Sequence, residues 1–472
     1  MKRRSFVQKA GLLTAALVSG KVLAFAAEPE FPVVRRAAPL RRFTSKAVEN
    51  AIAEFTSKVK NKELGWLFNN CFPNTLDVTV SYAEADGKPD TYLSAGDTDA
   101  MWLRDSSNQV WPYLPFLRKD KALKDLVGGV INRQVKYILK DPYASAFYND
   151  PAKISDFKDD LTTMLPGVYE RKWEIDSLCY PIRLAYRYWQ QTKDTSRFDL
   201  KWQEAIKTIL KTFKEQQRKE DNGPYHFQRN TAWATDSLPM QGFGYPVKPV
   251  GLICSAFRPS EDATIFSFLV PSNFFAVVSL RQAAELFRAI KADEKVAADM
   301  EALAMEVRVA LQKYAIIEHE VYGKVYAYEV NGYGSFNLMD DANIPSLLAL
   351  PYLGALSMTD PVYLNTRKMV LSEVNPFYYK GKIAEGIGGP HLGKNMVWPM
   401  SIIARGLTST DEEEIKQCLT MLQHSHADTG FIHESFNVDN AQQYTRFAFP
   451  WVNSLFGEFL WKTYQERPQL LI

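Results

Sequence analysis

Apolar residues recur three and four positions apart from residue 46 almost to the C-terminus, in one segment after another. In 274–290, Val277, Leu280, Ala284, Phe287 and Ile290 fall near one face of a helix. In 295–314, Met300, Leu303, Val307 and Leu311 do the same. Matching patterns occupy 46–59, 121–139, 176–191, 200–218, 343–350, 361–374, 398–407, 411–424 and 453–464. Period-two alternation is weak, with 75–82 the best strand candidate. Polar loops bearing Gly and Pro separate the segments, and no repeat of fixed period is visible, which argues against a regular solenoid. Helices that each carry one apolar stripe must bury those stripes on one another. In this number, over a chain of 472 residues, they suit an all-α fold. The expected form is an (α/α)6 barrel, or toroid, whose inner helices ring an axis and whose loops at one end form a pocket. No linker interrupts the middle of the chain, so 45–472 is expected to be one domain.

The N-terminus follows other rules. Lys2, Arg3 and Arg4 precede an apolar run at 10–18 and a small-residue cleavage pattern ending at Ala26. That is the layout of an export signal over 1–26. The Arg3-Arg4 pair followed by Phe6 resembles a twin-arginine signal; an ordinary secretory signal is the alternative. Export, with the periplasm as destination, is the expectation. Residues 27–44 hold three prolines and read as an arm or linker. No later run reaches the roughly 18 apolar residues of a membrane span, so no membrane is expected as a partner. Net charge is +2 with the signs mixed, which gives no reason to expect nucleic acid. Cys71, Cys179, Cys254 and Cys418 are scattered and are expected as buried thiols. His424, His426 and His433 lack the ordered ligand spacing of a metal site.

Aromatic residues make up 13 % of the chain, and many sit beside charged and amide side chains. Arg104, Asp105, Ser106, Ser107, Asn108 and Gln109 lie between Trp102 and Trp111. Planar hydrogen-bonding groups pair with sugar hydroxyls, while indole faces cover the C–H side of a sugar ring. The other reading is a helix start with a buried Arg104–Asp105 ion pair. Phe257 to Ala263 sets two acids, Glu261 and Asp262, after an X-Pro turn. They either cap a helix or supply a carboxyl whose partial burial lets it donate a proton. Gly430 to Phe436 sets Glu434 among aromatic and apolar neighbours. This glutamate either pairs with Arg446 or acts as a base that holds a water. Polar–aromatic clusters also occur at 167–177, 338–343 and 386–391, each able by itself to be a cap or a turn.

The stretches GDTDAMWLRDSSNQVWPYL, YERKWEIDSLCYPIRLAYRYW, AFRPSEDATIF, MDDANIPSLLALPYLG, GIGGPH and GFIHESF…YTRFAFPWVNSLFGE, in that order, resemble glycoside hydrolase family 125. The resemblance covers the chain from about residue 40 to its end. It implies an (α/α)6 barrel and an exo-acting α-mannosidase that removes non-reducing terminal α-1,6-linked mannose. It implies inversion at the anomeric carbon, no metal and no other cofactor. The implied partner is a mannose-containing oligosaccharide or N-glycan fragment. Family members often read RPSDDA where this chain reads RPSEDA, so Glu261 departs from the pattern. The resemblance puts the general acid on Asp262, the unchanged position, with Glu261 as second choice, and the general base on Glu434. Trp102, Arg104, Asp105, Arg171, Trp173, Asp176 and His391 become candidates for gripping the terminal mannose. An inverting pair needs its carboxyls roughly 6.5–9.5 Å apart to admit a water. Competing readings are another glycosidase of the same fold acting on α-glucosides, and a non-catalytic sugar-binding protein. A third is a calcium-dependent enzyme using Asp340 and Asp341.

Overall fold

Seven of the helices begin with a side chain that accepts a hydrogen bond from an otherwise unpaired N–H of the first turn. The computed structural model describes residues 31–472; the expected export signal lies outside them. Residues 34–472 form one compact unit. The helices are α1 (Lys46–Lys58), α2 (Lys62–Cys71), α3 (Asn74–Val78), α4 (Leu103–Val110), α5 (Lys121–Lys140), α6 (Ile175–Thr192) and α7 (Leu200–Glu215). They continue as α8 (Val270–Ala289), α9 (Glu294–Tyr314), α10 (Pro361–Val370), α11 (Pro399–Leu407), α12 (Glu412–Gln423) and α13 (Pro450–Glu466). No helix among the described residues is long and apolar enough to cross a membrane.

Packing follows the apolar stripes. Helix α4 packs on α6 and α13, α6 on α8, α8 on α9, and α11 on α12 and α13. Helix α2 was not expected, since Gly65, Asn69 and Asn70 dilute its pattern. Its partners hold it: Phe68 is fully buried and stacks on Phe55 at 4.0 Å and on Phe72 at 4.6 Å. Burying a phenylalanine is worth about 1.5–3 kcal/mol, enough to outweigh a weak helical propensity. The four cysteines are free and buried, as expected.

Short antiparallel strands stitch the loops together, a feature that the sequence hardly shows. Two- and three-stranded sheets join Val80–Ala85 to Lys88–Leu93, Met101–Trp102 to Ala146–Phe147, and Ser435–Asn437 to Asn440–Thr445. The expected strand at 75–82 is instead the end of α3 followed by the strand Val80–Ala85. The expected helix at 343–350 is a series of turns. There Asp340 accepts hydrogen bonds from the N–H groups of Leu347 and Leu348, and the Ile344–Pro345 peptide is cis. A proline inside the pattern removes a donor and clashes with the preceding turn, so a helical period is not sufficient. Helix α8 starts at Val270, earlier than the 274–290 pattern marks, because Pro271 suits the first helical turn; just before it, Phe268–Leu269 pairs with Glu329–Val330.

Candidate active site

Four helices bring their N-terminal ends towards one small cleft of about 130 Å³. Arg104 and Asp105 open α4, Trp398 precedes α11, Phe449 precedes α13 and Trp451 lies in its first turn; all line the cleft. Asp176, in the first turn of α6, stands behind Arg104. Larger cavities exist elsewhere on the molecule. What singles this one out is chemistry: Asp105, Glu261 and Glu434 face it together with Arg104, Arg446, His391 and several aromatic rings.

The first acid-bearing loop is rigidly built. Arg258 is almost fully buried and pairs with the buried Glu329 at 2.7 Å, while Glu329 also accepts from the N–H groups of Ile265 and Phe266. The Glu261 N–H donates to the Arg258 carbonyl at 2.8 Å, and the Arg258 N–H donates to the Asp262 carbonyl at 2.8 Å. This tight turn holds Glu261 at φ 67°, the left-handed region that costs a residue with a Cβ about 1 kcal/mol or more. Lys172 secures it from below by donating to the Glu261 carbonyl at 3.1 Å and to Asp236 at 2.5 Å. The turn sends the two neighbouring carboxyls in different directions. Glu261 reaches the cleft, accepts from the Trp102 indole N–H and lies 3.7 Å from Arg104. Asp262 is buried behind the lining, where its Oδ2 lies 2.8 Å from His391 Nδ1 and 3.3 Å from the Ser260 hydroxyl. His391 lines the cleft. Burial is the largest influence on its ring and works to lower its pKa. The hydrogen bond and charge of Asp262 outweigh it and raise the value to about 9.

The second acid-bearing loop comes from the far end of the chain. Ser435 pairs with Thr445 in the hairpin register, so Glu434 sits beside Thr445 and Arg446. The Thr445 hydroxyl donates to one Glu434 oxygen at 3.0 Å and Arg446 to the other at 3.2 Å. Arg446 also donates to the Ala95 carbonyl at 2.9 Å and pairs with the exposed Asp97. Gly430, at φ 78°, lets this loop pass close to Trp66, where an added Cβ would come within 2.7 Å of the indole.

A third wall is a buried charge cluster. Arg104 donates to Glu174 and lies 3.5 Å from Asp176 and 3.6 Å from Asp105. One guanidinium thus faces several carboxyls away from water. Burial, followed by the mutual repulsion of these acids, pushes Glu174 well above the usual carboxylate range despite Arg104. Burial likewise raises Asp176 to about 6.

The structure therefore gathers Trp102, Arg104, Asp105, Glu261, His391 and Glu434 at one cleft, with Asp262 immediately behind. Three expected sugar contacts do not reach it. Asp176 is wholly buried and backs Arg104. Arg171 is held by Asp141 at 2.6 Å and by Thr162 at 2.8 Å. Trp173 is 1 % exposed and its indole donates to the Cys254 carbonyl at 2.7 Å. Ser106, Ser107, Asn108 and Gln109 also turn inward, bonding to Gln134 and to main-chain carbonyls. Asn343, Trp398, Phe449 and Trp451 line the cleft without having been singled out. The aromatic members of FAFPW were the available signal, because an exposed-loop sequence seldom clusters such rings.

Asp340 and Asp341 are not free to gather a cation. Asp340 caps the 347–348 turn, and Asp341 accepts from the Asn343 N–H at 3.0 Å and from Ser260 at 2.9 Å. Among the described residues no group of three potential metal-ligating side chains is assembled. His426 pairs with Glu63 at 3.0 Å and His433 with the Phe447 carbonyl at 2.7 Å.

Comparison with known proteins matches residues 61–461 to the metal-independent α-mannosidases of glycoside hydrolase family 125. The chain is 41 % identical over 458 residues to the meiotically up-regulated gene 157 protein of Schizosaccharomyces pombe, covering 93 % of this chain and 90 % of that one. It is 40 % identical to a Streptococcus pneumoniae metal-independent α-mannosidase solved in a non-productive complex with α-1,6-mannobiose. That match covers 90 % of this chain and 100 % of the other, with a TM-score of 0.87. A family 78 rhamnosidase from Bacillus sp. GL1 shares the fold at a TM-score of 0.54 and 13 % identity, over 85 % of this chain and 35 % of that one. The carboxyl-lined cleft and the extent of these matches agree: this chain is a glycoside hydrolase and belongs to family 125, the metal-independent α-mannosidases.

Proposed function

We propose that this enzyme is an exo-acting α-mannosidase that hydrolyses non-reducing terminal α-1,6-linked mannose from oligosaccharides or N-glycan fragments, with inversion. The observation that carries the reading is the meeting of two acid-bearing loops, some 170 residues apart in the chain, at one small cleft. Glu261 and Glu434 have separate partners, Trp102 with Arg104 on one side and Thr445 with Arg446 on the other. Two carboxyls held apart in this way suit an acid on the leaving oxygen and a base activating water from the opposite face. A cleft of about 130 Å³ walled by Trp102, Trp398 and Trp451 suits a single terminal sugar rather than a continuous chain. The α-1,6 preference rests on family membership and on the mannobiose bound by the Streptococcus relative.

Glu434 is the base in this proposal. Of the adjacent acids, Glu261 is the proton donor, because its side chain lines the cleft. Asp262, the donor favoured from the sequence, acts through His391. The architecture proposed is the (α/α)6 toroid, with α4, α6, α8, α11 and α13 as inner helices. The irregular 343–356 segment takes the sixth inner place; it accepts from Tyr180 of α6 at Ile344 and donates from Tyr352 to Glu458 of α13. Export through the Arg3-Arg4 signal completes the proposal, and cell fractionation tests it.

Kinetics of Glu434→Gln, Glu261→Gln and Asp262→Asn on α-1,6-mannobiose and on an activated aryl α-mannoside test the roles. Loss of the base should lower kcat about 10²–10⁴-fold on both substrates. Loss of the acid should cripple mannobiose hydrolysis and largely spare the aryl substrate, whose leaving group needs no proton. If Asp262→Asn shows that leaving-group dependence and Glu261→Gln does not, the donor is Asp262.

A further inference from the structure

The inner helices lead from the catalytic cleft to a second, larger cavity of about 830 Å³. On α13, Trp451 faces the cleft while Glu458 and Lys462 line this cavity; Trp398, just before α11, faces the cleft and Leu407, at its other end, the cavity. At 1.5 Å per residue the two ends lie roughly 15 Å apart along the helices. Arg183 of α6 lies at the heart of the far cavity and is only 5 % exposed. Its guanidinium is sandwiched, 3.5 Å from the Trp111 ring centroid and 4.8 Å from that of Tyr352. Both rings are fixed by Glu458, which accepts from the Trp111 indole at 2.9 Å and from the Tyr352 hydroxyl at 2.8 Å.

Glu458 feels the charge of Arg183, and Arg183 also hydrogen-bonds to the Tyr352 hydroxyl, but the hydrogen bonds of the Glu458 carboxylate go to the two rings. The buried Arg171 and Arg258 each contact a carboxylate at 2.6–2.7 Å, whereas no carboxylate among the described residues lies within 4 Å of Arg183. Its Nη1 has no hydrogen-bond partner, and neither has the buried Oε1 of Gln282 in the same cavity. Stacking between two rings compensates a guanidinium only in part. A buried cation with an unused donor is otherwise a costly feature, and one that planar oxyanions satisfy well. Lys462, exposed at the rim, adds a second positive charge.

We propose that this far cavity is a second binding site, separate from the catalytic cleft, for a small molecule bearing a carboxylate or phosphate group received by Arg183. The site does not depend on the reading of the cleft; Glu458 and Glu466 also line it, and the Glu458 carboxylate is taken up by Trp111 and Tyr352.

The test is a titration of the full-length ¹⁵N-labelled protein with inorganic phosphate, with glucuronate and with neutral methyl α-mannoside. The Trp111 indole N–H, assigned through Trp111→Phe, is the reporter. The expected result is a saturable shift with phosphate, glucuronate or both. It should be unchanged in Glu434→Gln and weakened at least tenfold in Arg183→Met. Lys462→Gln, at an exposed position, should weaken it severalfold and serves if Arg183→Met does not fold. A response to phosphate alone identifies phosphate-bearing ligands, and a response to glucuronate alone identifies sugar acids. No saturable shift with either oxyanion overturns the proposal. So does a shift insensitive to Arg183→Met and Lys462→Gln, a shift from methyl α-mannoside alone, or displacement of the oxyanion by α-1,6-mannobiose.

Discussion

Arg446 divides its guanidinium between Glu434 and Asp97, so the proposed base shares its cation with a competitor at the surface. Replacing Arg446 by Lys keeps a charge but loses the forked geometry that reaches both acids and the Ala95 carbonyl. The expected effect is a fall in kcat of about 10–100-fold with a much smaller change in KM, measured on α-1,6-mannobiose. An unchanged kcat would show that Arg446 does not position Glu434. His391 carries a prediction about pH. Its pKa is raised from 6.5 to about 9, so the Asp262–His391 pair contributes its full stability below pH 6.5. That contribution fades as pH rises through 9 and amounts to at most about 3 kcal/mol. Urea unfolding of wild type and His391→Asn should show a stability difference that is largest at pH 6 and shrinks by pH 9.5. A difference constant over that range would contradict the assignment.

At the scale of elements, two buried asparagines do matching work. Asn273 in α8 accepts from the Ile253 N–H and donates to the carbonyls of Ile253 and Leu269. Asn453 in α13 accepts from the Ile432 N–H and donates to the carbonyls of Ile432 and Phe449. Each sits in the first turns of a helix and clamps the segment that leads into an acid-bearing loop. Asn453→Ala should cost about 2–3 kcal/mol, because a buried N–H and carbonyl are left unpaired. It should also lower kcat beyond any change in folded fraction, read by thermal melting beside kinetics. Equal kcat at equal folded fraction would make the clamp purely structural. These helices were legible in the sequence, since 270–289 and 450–466 carry long apolar patterns that only a helix satisfies. The clamps were not, because an asparagine looks alike in a turn, a cap or a core until its partners are placed. The short strands were illegible for a related reason. Two or three paired residues, such as Phe268–Leu269 with Glu329–Val330, leave no periodic trace.

At the scale of the molecule, the loops from 94 to 105, 258 to 262 and 430 to 446 are distant in sequence and converge because helices of one unit begin near the same point. Part of the cleft's lining was expected from the sequence: Trp102, Arg104, Asp105, His391 and Glu434 face it, and Glu261 does so beside Asp262. Which of two adjacent acids faces inward was not readable, since it depends on the left-handed φ of Glu261 and the Arg258 turn. Nor was the burial of Arg171 and Trp173 readable, as charged and indole groups serve equally in a sugar site and in the scaffold behind one. The far cavity shows that one set of helices can present polar groups at both ends. The central claim is that two carboxyls across the cleft drive hydrolysis with inversion, and a proton NMR time course with α-1,6-mannobiose tests it most directly. The account predicts β-mannose as the first product, before mutarotation. Early α-mannose would mean a retained configuration and would contradict Glu434 as the base.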